Sequence, residues 1–103
     1  MTIATCAALV EKADPDRFAA TMATPPAARE KLWPLYAANI EIARAAYASE
    51  EPLVAEMRLQ WWADEIQRLG EGQAGRGEVA GALAPLLRAN PQIAPALTQL
   101  VEA

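Results

Sequence analysis

Apolar residues recur at helical spacing between breaks marked by proline, glycine and acidic residues, and nowhere alternate with polar ones long enough for a strand. Ile3, Ala7 and Val10 share one side of a first helix over residues 3–12. Asp14-Pro15 sets a capping side chain before the residue best tolerated at the first helical position, predicting a short second helix through Phe18 to Met22. Thr24-Pro25 repeats that start signal for a third helix from Pro26 to about Ala48. Leu32, Tyr36, Asn39 or Ile40, Ala43 and Tyr47 lie near its stripe. Pro34 either kinks this helix or marks a second start within it.

Ser49-Glu50-Glu51-Pro52 is the next break, with acidic residues suited to a helix N-terminus. A fourth helix over residues 52–69 carries two adjoining stripes. Leu59, Trp62, Ile66 and Leu69 form one; Leu53, Met57 and Trp61 form the other. So wide an apolar arc predicts burial on more than one side. Gly70 is expected to end this helix, and residues 70–77 to form a flexible, glycine-rich polar loop. Residues 78–89 and 91–102 read as two shorter helices, each with an internal proline (Pro85 and Pro95) to kink it. No repeat of fixed period occurs. The apolar end of the last helix, with Leu97, Leu100 and Val101, calls for a partner surface from a larger helical domain or another chain.

Alanine dominates and Val, Ile, Phe and Tyr are sparse, which fixes the expected class as all-α, an antiparallel helical bundle. The 103 residues suit one domain or part of one, and 53% apolar content excludes a disordered tail. A net charge of −4 argues against general affinity for nucleic acid. No histidine is present, which removes the usual neutral-pH general base, Ser–His and Cys–His pairings and most zinc sites. The single Cys6 excludes an internal disulfide and reads as a small buried hydrophobe. The first ten residues lack the basic flank of a secretory signal, and no run reaches the roughly 18 apolar residues of a spanning helix. The expected location is the cytoplasm, with peripheral attachment at the inner face of a membrane left open.

Certain residues follow a familiar order. Asp14-Pro15-Asp16-Arg17-Phe18, Leu35-Tyr36-Ala37-Ala38-Asn39 and Glu41-Ile42-Ala43-Arg44 come first. Glu51-Pro52, Glu56-Met57-Arg58-Leu59-Gln60-Trp61-Trp62-Ala63-Asp64-Glu65-Ile66 and Gly70 follow. This series resembles the N-terminal part of the squalene/phytoene synthase family, and most closely its divergent branch of mitochondrial complex I assembly factors and bacterial relatives. The resemblance spans roughly residues 6–90, with Arg58 to Trp62 as its most specific run, although family members are more than twice this length. It implies the N-terminal portion of an isoprenoid-synthase-like fold. Catalytic members join two isoprenoid diphosphates using Mg²⁺ held by two aspartate-rich clusters. Aligned on Tyr36-Ala37, the first cluster's aspartate positions are filled by Ala43, Arg44 and Tyr47, and Ile40 stands where an arginine is expected. None of these can hold Mg²⁺. The second cluster would lie beyond Ala103.

The resemblance therefore implies a non-catalytic member with no cofactor, acting through protein contacts. Its partners would be subunits or assembly intermediates of a respiratory complex, met by an assembly factor or by a permanent accessory subunit. The alternative is the N-terminal part of a prenyl-diphosphate-using transferase, which would need Mg²⁺. Arg44, Arg58, Trp61 and Trp62 are the candidate partner-binding residues, because arginine and tryptophan dominate binding hot spots. The two tryptophans point about 100° apart on a helix, so one is expected in the core and the other at a neighbouring helix or a partner. Glu41 and Arg44 suit an i, i+3 surface pair, and Arg58 can reach Glu65. Asn39, on an apolar stripe, needs a partner such as Arg58 or backbone. The glycines from Gly70 to Gly77 follow no strand and precede no Gly-Lys-Ser/Thr, which excludes a phosphate loop.

Overall fold

Caps and prolines set the element boundaries. The computed structural model describes residues 2–47 and 50–102. Six helices follow one another: α1 (Thr2–Ala13), α2 (Pro15–Met22), α3 (Pro26–Tyr47), α4 (Pro52–Gly70), α5 (Glu78–Ala89) and α6 (Ile93–Glu102). They form an all-α antiparallel bundle, with no strand among the described residues.

Asp14 caps α2 as expected. Its Oδ1 accepts the Arg17 backbone N–H at 3.2 Å, and Pro15 takes the first helical position. The start of α3 departs from expectation. Thr24 does not cap it; its hydroxyl donates back to the Thr21 carbonyl at 2.6 Å, and the Pro25 carbonyl accepts the first backbone bonds of α3. Arg29 secures the same corner by donating to the Thr24 carbonyl at 2.9 Å and the Met22 carbonyl at 2.7 Å. The Met22 carbonyl is one that a helix end leaves without an internal donor, and the Thr24 carbonyl lies in the turn that follows.

Pro34 starts no second helix, since α3 is continuous through it and buries its ring. The end expected near Ala48 lies outside the described residues. Gly70 is still helical in α4, and the chain reverses at Gly72, whose φ of +84° suits a residue without Cβ. The Gln73 N–H then reaches back to the Arg68 carbonyl at 3.0 Å, closing the helix end. The last helix begins at Ile93, not at residue 91. Asn90 first closes α5, its amide donating to the Leu86 carbonyl at 3.2 Å, and Pro91 and Gln92 make the turn. Pro95 thereby falls in the first turn of α6, where no N–H is required.

The central helix is α3, and its single expected stripe is in fact two. Trp33, Ala37 and Ile40 pack with Cys6 and Val10 of α1 and Ala82 of α5. Ala38, Ile42 and Ala45 pack with Trp62, Ile66 and Leu69 of α4, Leu83 and Leu87 of α5, and Leu97 of α6. Ala43 is exposed and Tyr47 is 87% exposed, so neither joins a core. Alanine on both faces lets neighbouring helices approach closely, which explains how a weakly apolar helix occupies the middle. Each fully buried leucine, such as Leu83 or Leu87, contributes about 1.5–3 kcal/mol.

The fourth helix reverses expectation in the other direction. Only the Trp62, Ile66 and Leu69 face is buried, whereas Leu53 is 67%, Met57 65% and Trp61 38% exposed. Because α3 takes the central position, no helix remains to cover that second stripe among the described residues.

Candidate functional site

The register that buries Trp62, Ile66 and Leu69 also buries Glu65, which has 0% exposure. A carboxylate there must be fully partnered. Its Oε1 accepts from Arg68 Nη1 and Arg76 Nε, both at 2.7 Å, and its Oε2 accepts the Arg76 backbone N–H at 2.6 Å. Burial acts to raise the Glu65 pKa, but the Arg76 backbone N–H and the Arg76 and Arg68 guanidiniums outweigh it, holding the carboxyl below its ordinary 4.5. The partner expected for Glu65, Arg58, is not among its donors, because Arg68 one turn on and Arg76 across the loop already fill the site. Arg76 also ties the loop of residues 71–77 to α4. Its guanidinium carbon lies 5.3 Å from the Trp61 ring centroid, within cation–π range.

On the other side of the tryptophans, α3 and α4 enclose an open cleft of about 390 Å³. Glu41, Arg44, Ala45 and Tyr47 line it from α3, and Arg58, Trp61 and Trp62 from α4. All four candidate partner-binding residues, Arg44, Arg58, Trp61 and Trp62, therefore converge on one cavity. The two indoles meet edge to face, with centroids 5.1 Å apart and planes at 89°. Trp62 inserts into the core while Trp61 keeps an open face.

Arg44 and Arg58 are exposed and have no ion pair or hydrogen bond among the described residues. The expected Glu41–Arg44 pair does not form. An exposed pair gains little Coulomb energy against the side-chain freedom it costs. Glu41 instead stands near enough to Cys6 to influence its thiol. Burial pushes that thiol up to about 11, with Glu78 and Glu41 adding to the effect.

Asn39 finds a partner that the sequence reading missed. Arg17 Nη1 donates to its Oδ1 at 3.2 Å, and the same guanidinium lies 4.8 Å from the Tyr36 ring centroid. Phe18 stacks on Trp33 beside it, with centroids 5.2 Å apart. Arg17, Phe18, Tyr36 and Asn39 thus join α2 to α3, and the expected contact of Asn39 with Arg58 is corrected. Glu65 and Arg76 were also missed as a pair. The available signal was a carboxylate placed in register with Trp62, Ile66 and Leu69.

The cleft does not fit the Mg²⁺ chemistry that the sequence resemblance implies for catalytic relatives. Glu41 is its one carboxylate, two guanidiniums share it, and Ala43, Arg44 and Tyr47 offer no oxygen cluster. Among the described residues no group of three or more acidic or thiol side chains could hold a metal ion. No described helix is long and apolar enough to cross a membrane.

The sequence pattern of squalene/phytoene synthases matches residues 10–103, and the chain belongs to that family. It is also similar to a Drosophila melanogaster protein named "NADH dehydrogenase (ubiquinone) complex I, assembly factor 6 homolog", with 34% identity over 84 residues. The matched stretch is 81% of this chain but only 25% of that relative, so the chain spans about a quarter of its length. No solved structure matches the chain.

Proposed function

We propose that this chain acts as a non-catalytic squalene/phytoene synthase-like helical protein that docks a protein partner during assembly of a respiratory complex, or as an accessory subunit of one. One observation carries the reading: the cleft between α3 and α4 holds an open indole and two unpaired guanidiniums, and its Arg44 and Tyr47 stand at positions where catalytic relatives, by the resemblance, hold aspartates. Arginine and tryptophan lining one open cleft, with a single carboxylate, suit protein recognition better than metal-assisted diphosphate ionisation. The similarity to a protein named as a complex I assembly factor points to the same kind of partner. The work would be done in the cytoplasm, at the inner face of the membrane that holds the complex.

The test is co-purification of the full-length protein from its native cells in mild detergent. Complex I subunits should accompany the wild type and be depleted with Trp61→Ala, while helical content by circular dichroism is retained. Mg²⁺-dependent turnover of farnesyl or geranylgeranyl diphosphate by the full-length protein would instead make the chain part of a transferase. Recovery at constant ratio with the finished complex would identify an accessory subunit, and release before completion an assembly factor.

A further inference from the structure

The docking reading can be carried to the chemistry of the occupant. We infer that the α3–α4 cleft binds an acidic amphipathic helix of a partner protein, with a carboxylate between Arg44 and Arg58 and aliphatic side chains along Trp61, Met57 and Leu53. This rests on the docking reading above.

Charge is the first argument. Arg17, Arg29, Arg68 and Arg76 are all engaged by oxygens of this chain. Arg44, Arg58 and Arg88 have no such acceptor among the described residues, and of these Arg44 and Arg58 line the cleft that also holds two indoles. Glu41 leaves that lining with a net positive charge, against −4 for the whole chain. A guanidinium fork takes a carboxylate with directed hydrogen bonds, and the net negative charge of the whole chain disfavours an acidic segment elsewhere.

Shape is the second. Leu53, Met57 and Trp61 recur every four residues on the exposed face of α4, a strip about 12 Å long at the helical rise. That strip runs into the cleft at Trp61. An apolar strip ending in a positive notch matches a helix whose aliphatic face ends in Asp or Glu.

The experiment is selection of the full-length protein against a display library of helical peptides of roughly 18 residues, about 27 Å long. Selected peptides should carry Asp or Glu beside leucine or isoleucine. Titration by tryptophan fluorescence should show about tenfold weaker binding for the Gln/Asn version, and a similar loss with Arg44→Glu plus Arg58→Glu. Binding should also weaken as salt rises. Selected peptides without a carboxylate requirement, or no enrichment at all, would overturn the inference. So would a response confined to farnesyl diphosphate with Mg²⁺ or to anionic phosphatidylglycerol vesicles. If Trp61→Ala still depletes complex I subunits in that case, the docking reading survives and only the acidic occupant is lost.

Discussion

Two groups, each of one carboxylate and two guanidiniums, flank Trp61 and meet opposite fates. Glu65 with Arg68 and Arg76 is closed: the carboxylate is buried and three donors reach it within 2.7 Å. Glu41 with Arg44 and Arg58 is open, sharing a cleft without an ion pair. The same residue types therefore serve architecture in one place and remain available in the other. Burial decides which, since a carboxylate out of water must find its donors within the fold and a half-solvated one need not. Trp61 touches both groups, with Arg76 near its ring and the cleft along its edge.

The largest effect should come from opening the closed group. Glu65→Ala is expected to lose about 2–3 kcal/mol by urea unfolding, because hydrogen bonds to a charged group vanish and two arginines lose their acceptor. Glu41→Ala should change stability by less than about 0.5 kcal/mol. Equal losses in the two variants would erase the distinction.

Acid should separate the groups next. The folded pKa of Glu65 is held below 4.5, so its contribution is fully present above that value and is lost as pH falls through the depressed folded value. Urea midpoints measured on acidification should fall in the wild type and fall less in Glu65→Gln. The smallest expected effect is at the open group, where Arg44→Ala and Arg58→Ala should each stay within about 0.5 kcal/mol of wild type in thermal unfolding. A larger loss would mean that these arginines support the fold.

Helix number and most boundaries were legible because alanine, proline and glycine act locally. Asp14-Pro15 caps α2 as read, and Pro52 opens α4. What escaped was the choice between faces. A stripe reports that a surface is apolar, but the neighbour that covers it is a property of the whole bundle. Hence α4 looked two-sided and is not, while α3, whose alanines look unremarkable, is the helix packed on both sides. Convergence of Arg44 with Trp61 and Trp62 was partly legible, through the resemblance that set both runs in order. The Glu65–Arg76 bond spans 11 residues and a loop, and no periodic pattern announces a contact of that kind.

Cys6 gives the fold a clock. As the one thiol of the chain it sits at 0% exposure between α1, α3 and α5, with a pKa near 11. An alkylating reagent at mildly alkaline pH can consume it only when α1 lifts away and the thiol regains its ordinary acidity. Its labelling rate therefore counts departures of α1 from the bundle, free of signal from any other sulfhydryl. Compared with and without a bound peptide, that rate would reveal whether filling a cleft on α3 and α4 steadies a helix packed on the far side of α3.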